Sequence, residues 1–191
     1  MSANGVDAFD KTIQTTHIWL NEIMAELGPD RQVAWKVLST VLHKLRDRLH
    51  LGLAAHLGSQ LPLLVRGAYY DQFEPGRLPA ECDTREQFVA EVQEWLSDTR
   101  PIDPDAACRA VFGVLARHVS PGQVDKVCNA LPKQLRSWFE AVAAEAITAQ
   151  AREASTGGGG EAGAFFGGDT ADGGAAETIQ QSDAGPGARR E

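Results

Sequence analysis

The chain has 191 residues, of which 43% are hydrophobic, and its formal net charge is −8. This length and composition fit one domain, or two small packed halves, with a sizeable core. An acidic chain lacks the basic footprint that nucleic acids and anionic membranes require, so we expect neither as a general partner. No apolar run approaches the roughly 18 residues of a membrane span and no signal peptide is recognisable, which predicts a cytoplasmic protein.

Amphipathic helices are predicted from the N-terminus to about Tyr70, because apolar side chains recur there at three- and four-residue steps. The stripe of the first helix consists of Phe9, Ile13, Leu20, Ile23 and Leu27. This helix should end at Gly28-Pro29, and a second should follow around Val37–Leu49. A third segment, from about residue 52 to 70, contains Pro62, which should kink or restart the helix.

The second half of the chain has clearer helix-start signals. Residues 71–84 hold two prolines and a glycine and should connect the halves. Start signals follow at Thr84 with Gln87, at Asp103-Pro104 and at Ser120-Pro121. The last helix should run over about 132–152, with Trp138 and Ile147 on its core-facing stripe. The four tryptophans, Trp19, Trp35, Trp95 and Trp138, are expected in the core or between the halves.

The two halves are related by a constant shift along the sequence. The shift that places Val41 on Val111 also places Leu61-Pro62 on Leu131-Pro132 and Arg66 on Arg136. The matches fall on the apolar stripe and on the Leu-Pro break, where a shared fold would place them. The sequence therefore predicts an all-α domain over 6–154, built from two related helical units at about 8–70 and 85–152.

The C-terminal segment, 155–191, has a different composition. It contains eleven of the 19 glycines and an excess of acidic residues. Such a segment cannot bury enough apolar area to offset its chain entropy, so we predict a disordered, glycine-rich acidic tail. Phe165-Phe166 stands alone in it as a candidate docking motif, although isolated aromatic residues in such tails often have no role.

Several stretches resemble a known bacterial family, named domain of unknown function 2267. They are FDKTIQTTHIWLNEIMAELG, VLHKLRDRL, AAHLGSQLPLLVRGAYYD and AVFGVLARHVSPGQVDKVCNALPKQLRSWF, and they cover about residues 8–140. The resemblance implies an all-α fold and supplies no established activity, so it assigns no catalytic residue. The chain departs from the family pattern at HLGLAAHL, where His50 replaces the Ser120 of the second unit and a weaker helix cap is expected.

Motifs for known chemistry are missing from the sequence. No phosphate-binding loop, nucleophile elbow or HExxH motif is present, and Cys82, Cys108 and Cys128 lack the spacing of a zinc site. Cys108 and Cys128 align with Leu38 and Gly58, which favours buried, inert thiols. No catalytic residue, metal site or cofactor is therefore predicted.

The run from His43 to His50 contains Lys44, Arg46 and Arg48 and permits more than one interpretation. Its bases repel a metal cation, so its histidines are expected on a solvated helix face. The bases could meet an anionic partner, but we favour bases that complement the C-terminal dipole of a helix.

Arg66 and Arg136 are the candidate anion or partner contacts. Each follows the Leu-Pro break by the same step, about one turn into a helix whose start favours anions. The competing interpretation is that each arginine binds an acid from a neighbouring helix of its own unit.

The sequence favours a non-enzymatic interaction or regulatory module, which binds an unknown protein partner or self-associates. The alternative is an anion- or small-ligand-binding protein, or an enzyme, with a pocket between the two units. A concave pocket with convergent polar side chains at that place would favour the alternative.

Overall fold

Local sequence signals divide the chain into short helices. The computed structural model describes residues 6–80 and 84–156, and within these ranges it contains helices and no strand. The helices are α1 (Asp7–Leu27), α2 (Arg31–Arg46), α3 (Leu51–Gln60), α4 (Leu63–Tyr70), α5 (Arg85–Trp95), α6 (Pro104–His118), α7 (Pro121–Ala130) and α8 (Lys133–Thr156). A 3₁₀ turn, Pro75–Arg77, lies in the connection between the halves. The all-α prediction is confirmed.

Most of the predicted helix boundaries are present. Gly28 ends α1 with a φ of 101°, a conformation that favours glycine. Thr84 and Gln87 form a reciprocal capping box at the start of α5, as predicted. Asp103 caps α6 by accepting a hydrogen bond from the backbone N–H of Asp105. Each cap satisfies amide groups that a helix start leaves without partners.

The helix start at Ser120-Pro121 is confirmed, but its predicted cap and the end of the last helix need correction. Ser120 precedes α7, but its side chain makes no capping hydrogen bond. Its backbone N–H instead donates to Oε1 of Gln60, at the end of α3, over 2.9 Å. The last helix runs to Thr156 rather than to about residue 152, so residues 155 and 156 are helical. Residues 157–191 of the predicted tail, with Phe165-Phe166, lie outside the described residues.

His50 precedes α3 and makes no side-chain capping bond, as its sequence position predicts. Because Ser120 makes none either, the substitution of serine by histidine does not distinguish the two helix starts in this respect.

The two halves have the same helical organisation. The shift that relates them places α3 on α7 residue for residue, and Pro62 and Pro132 each stand directly before the next helix. Within the first half α1 packs on α2 and α4, and within the second half α5 packs on α6 and α8. Between the halves, α1 packs on α6 just as α5 packs on α2, while α2 meets α6 and α3 meets α7. The contacts between the halves are therefore reciprocal.

The core lies between α2 and α6, and the aligned residues there are buried in both halves. Leu38 and its counterpart Cys108 are both excluded from solvent, as are Val41 and Val111. Four residues on predicted apolar stripes are instead exposed to a large extent: Phe9, Ile13, Trp95 and Ile147. Helical spacing alone therefore does not decide whether a side chain is buried.

Candidate functional site

Arg66 and Arg136 occupy equivalent places and bind backbone carbonyl groups. Nη2 of Arg66 donates to the carbonyl oxygens of Ser59 and Leu61, over 2.8 and 3.1 Å. Nη2 of Arg136 donates to the equivalent oxygens of Asn129 and Leu131, over 2.7 and 3.4 Å. Each arginine thus caps the end of the helix that precedes its own.

The hydrogen-bond partners of Arg66 and Arg136 are not the acids of neighbouring helices that the competing interpretation expected. That interpretation expected an acid, whereas among the described residues both guanidinium groups bond to carbonyl oxygens. The last carbonyl groups of a helix have no partner within the helix, so an arginine can satisfy several of them at once. The anion-contact role of Arg66 and Arg136 stays a prediction.

Arg46, in the basic run of α2, is buried rather than solvated. Only 2% of it is exposed. Its Nε donates to Oδ1 of Asp47 over 2.8 Å, and its Nη1 donates to the carbonyl oxygens of Tyr69 and Asp71. Its guanidinium carbon lies 4.8 Å from the ring centroid of Phe73. Arg46 therefore joins the end of α2 to the end of α4.

The other two bases of this run bind α5. Arg48 Nη2 donates to Oε1 of Glu91 over 2.5 Å, and Lys44 Nζ lies 3.2 Å from the other carboxylate oxygen. Lys44 also lies 4.6 Å from the ring centroid of Trp95. Burial alone would raise the pKa of Glu91, but the hydrogen bonds and charges of Arg48 and Lys44 outweigh it and lower that pKa. Lys44 and Arg48 therefore make contacts between the halves, and the run does not form an exposed basic face.

His43 is likewise buried, contrary to the predicted solvated face. Its Nε2–H donates to the carbonyl oxygen of Ala68 over 2.5 Å, and its ring packs edge-on against Trp95. Burial lowers the pKa of His43, which favours the neutral ring. The described residues include no group of three or more His, Cys, Asp or Glu side chains that could hold a metal ion.

Two of the cysteines are buried, as predicted. Burial raises the pKa of Cys128 to about 11 and raises that of Cys108 further. A thiol in this state is a poor nucleophile, because the thiolate is the reactive form. Cys82 lies outside the described residues.

Exposed apolar side chains gather where the start of α1 meets the start of α4. The backbone N–H of Leu64 donates to Oγ1 of Thr12 over 3.2 Å, which brings the two helix starts together. Five large apolar residues with about half of their surface exposed lie within six positions of this contact. They are Val6, Phe9, Ile13, Leu63 and Leu64, and we call them the α1–α4 surface.

The second half shows that the fold does not require apolar side chains at three of these five positions. The shift that relates the halves pairs Leu63-Leu64 with Lys133-Gln134. Trp19 corresponds to Trp95, and the spacing between these two tryptophans pairs Phe9 with Arg85. The backbone N–H of Arg85 donates to Oε1 of Gln134 over 3.4 Å, so the equivalent place holds a polar contact. An alignment of the halves could have revealed this difference, which the sequence analysis missed.

A cavity of about 270 Å³ lies where α2, the connection and α5 meet. It is lined by Arg46 of α2, by Asp47 directly after that helix, by residues of the 72–80 connection and by Trp95 of α5. The connection is held against α2 by a 2.6 Å hydrogen bond from the Ala80 N–H to the carbonyl oxygen of Asp47. Sequence reasoning placed Arg46 and Trp95 on separate helices and did not bring them together.

Comparison with known proteins identifies the family and no activity. None of the described helices is both long and apolar enough to cross a membrane. No curated protein matches the chain. A family model described as an uncharacterized conserved protein, DUF2267, matches residues 16–138, from the middle of α1 into α8. This match covers more than half of the chain, and the protein therefore belongs to the DUF2267 family.

Proposed function

We propose that this protein is a non-enzymatic interaction module that self-associates through the α1–α4 surface. The observation that carries the proposal is the pair of exposed apolar helix starts, at which the second half has polar residues in three of the five equivalent positions. Exposed large apolar patches are costly in water and mark interaction sites in folded proteins. The same fold accepts Arg85, Lys133 and Gln134 at the equivalent positions. Packing alone therefore gives no reason for apolar residues at Phe9, Leu63 and Leu64.

A second copy of the chain is the partner that we propose. Five large apolar side chains that are each about half exposed present on the order of 400 Å² of apolar surface. A standard interface buries about 800 Å² on each partner, a little over half of it apolar. Two α1–α4 surfaces facing each other across a two-fold axis would supply the apolar part of such an interface. None of the five side chains carries a charge, so their pairing buries no unpaired ion.

The mass of the protein in solution tests this proposal. Sedimentation velocity or light scattering is measured at protein concentrations of about 1 to 500 µM, a range that spans the dissociation constants of weak dimers. The average molar mass should rise from 20.5 kDa toward twice that value. Ile13→Glu should hold the chain at the monomer mass, because the dimer would bury the new carboxylate without a partner.

Ile18→Glu is the matched control. Ile18 is 50% exposed and Ile13 is 44% exposed, and both lie on α1. The step of five positions from one to the other corresponds to a rotation of about 140° around the helix, so Ile18 points away from the α1–α4 surface. Ile18→Glu should dimerise like the natural chain. A natural chain that stays monomeric at the highest concentration, or equal losses in both variants, contradicts the proposal.

A further inference from the structure

The guanidinium group of Arg46 is a buried cation that lines the cavity, and one of its nitrogen atoms makes no hydrogen bond with the described residues. Nε and Nη1 of Arg46 are occupied by Asp47, Tyr69 and Asp71, whereas Nη2 has no hydrogen-bond partner among the described residues. Arg46 lines the cavity and is nearly excluded from bulk solvent. Nη2 is therefore a hydrogen-bond donor available to a molecule in the cavity. An arginine cannot lose its proton at physiological pH, so this position calls for an acceptor.

The acids of the cavity already have partners. Oδ1 of Asp47 accepts from Arg46, and Oε2 of Glu74 lies 2.7 Å from Nε of Arg77. A bound cation would compete with these pairs, whereas a carboxylate would add a second anion to the buried guanidinium of Arg46. Charge-assisted bonds from a guanidinium to a carboxylate are stronger than those to a neutral acceptor.

Trp95 supplies the aromatic wall of the cavity. It is 40% exposed, and its neighbours are Lys44 and His43. Its counterpart in the first half, Trp19, is 1% exposed and stacks on His118 at 5.4 Å between ring centroids. The fold therefore does not impose an open tryptophan at this position. Large aromatic faces of this kind bind flat apolar groups.

From these contacts we propose that the cavity binds a small aromatic carboxylate. The carboxylate would accept from Nη2 of Arg46, and the ring would pack against Trp95. A volume of about 270 Å³ is slightly below the usual range of ligand pockets, which favours a molecule of roughly a dozen non-hydrogen atoms or fewer. This site is distinct from the α1–α4 surface and does not depend on self-association.

Titration of the full chain with four probes tests the site. Benzoate and indole-3-carboxylate have both required groups, benzamide lacks the charge, and cyclohexanecarboxylate lacks the aromatic ring. Binding is followed by the indole N–H signal of Trp95 and by saturation transfer from the protein to the probe. We expect the aromatic acids to shift the Trp95 signal saturably, with benzamide and cyclohexanecarboxylate at least tenfold weaker. The Trp35 signal should not move, because Trp35 does not line the cavity.

Variants separate the cavity from other binding modes. Trp95→Leu and Arg46→Lys should each weaken benzoate binding at least tenfold, whereas Trp35→Leu should not. Arg46 is buried and could be required for folding, so melting curves accompany each variant. If Arg46→Lys does not fold, the difference in affinity between benzoate and benzamide shows whether binding requires the carboxylate. No saturable binding of either aromatic acid, equal affinity for benzamide, or full affinity in folded Trp95→Leu would overturn the proposal.

Discussion

Arg66 and Arg136 are equivalent residues of the two halves, and each closes the end of the helix before its own by donating to backbone carbonyl oxygens. The shift that relates the halves therefore pairs a structural contact as well as the apolar stripe. It also makes each half a reference for the other. Where the halves agree, as at these arginines, the fold explains the residue. Where they differ, as at Leu63-Leu64 and Trp95, another explanation is needed.

Replacement of either arginine by alanine should destabilise the fold by about 1 kcal/mol or more, because two or more helix-end carbonyl groups lose a charged donor. Lysine should restore only part of this loss, since one ammonium group cannot reproduce the planar guanidinium. Urea denaturation measures the change. Arg31→Ala is the control, because Arg31 is exposed at the start of α2 and its side chain makes no hydrogen bond or ion pair with other described residues. Equal stabilities of Arg66→Ala, Arg136→Ala and Arg31→Ala would contradict the capping role.

The same variants test the predicted anion contacts of Arg66 and Arg136. If the arginines also hold an anion, sulfate or phosphate should raise the melting temperature of the natural chain more than chloride at equal ionic strength. This difference should shrink in Arg66→Ala and Arg136→Ala. If sulfate and phosphate stabilise the natural chain no more than chloride does, the predicted anion contacts of Arg66 and Arg136 are wrong, and both residues only cap helix ends.

Gly58→Ala should destabilise the domain although alanine favours helices. A Cβ at this position would lie 2.5 Å from Oη of Tyr70 and 2.9 Å from its Cζ. The ring would have to leave its edge-on contacts with Tyr69 and Phe73. We expect a loss of about 1 kcal/mol or more, measured by denaturation.

Two variants serve as controls for Gly58→Ala. Gly67→Ala should be neutral or stabilise α4 by up to about 1 kcal/mol, since among the described residues its added Cβ would meet nothing within 4 Å besides its chain neighbours and the adjacent helix backbone. Tyr70→Glu should remove the penalty of Gly58→Ala, because the second half pairs Cys128 with Glu140 at these positions. A penalty that persists in the double variant would show that Tyr70 is not its cause.

Glu22 should stabilise the contact between the halves only above acidic pH. Its carboxylate accepts from Nε of Arg117 over 2.8 Å and from Nε2 of His118 over 2.6 Å. Burial would raise the pKa of Glu22, but these two partners outweigh it and lower the pKa below 4.5. A lowered pKa in the folded state adds stability that is complete well above 4.5 and is lost as the pH falls through the folded-state value.

Glu22→Gln should therefore cost about 1 kcal/mol near pH 7, and the cost should vanish in strong acid. Thermal unfolding across pH 2 to 7, a range chosen to span the ordinary carboxyl pKa, follows this difference. Glu26→Gln is the control on the same helix. Burial raises the pKa of Glu26, so loss of its charge should be neutral or stabilising at pH 7. A cost for Glu22→Gln that is independent of pH would contradict the ion-pair explanation.

Deletion of residues 157–191 should change the melting temperature by only a few degrees. The composition of this segment predicts few native contacts, because it has too little apolar area to offset its chain entropy. Differential scanning calorimetry of the truncated chain measures the effect. Strong amide protection within the segment, or a large loss of stability on deletion, would contradict the prediction.

The sequence alone determined the helices and most of their ends, and it predicts the relation between the two halves. Caps, prolines and glycine act on neighbouring backbone, so Gly28, Thr84 with Gln87, and Asp103 could be recognised without knowledge of the rest of the chain. The repeated apolar stripe likewise indicated which faces of α2 and α6 lie in the core.

The tertiary structure decided which side chains are buried and which converge. Helical spacing predicts that both Phe9 and Leu20 face the core, but only Leu20 is buried. The sequence predicts Arg46 as a base that complements the C-terminal dipole of a helix. Its burial depends on carbonyl groups of Tyr69 and Asp71, which are distant from it in the sequence. Spacing along one helix says where a side chain points, whereas burial depends on what distant segments place in front of it. For the same physical reason, the α1–α4 surface and the cavity beside Trp95 became visible only once α4, α5 and the connection were in position.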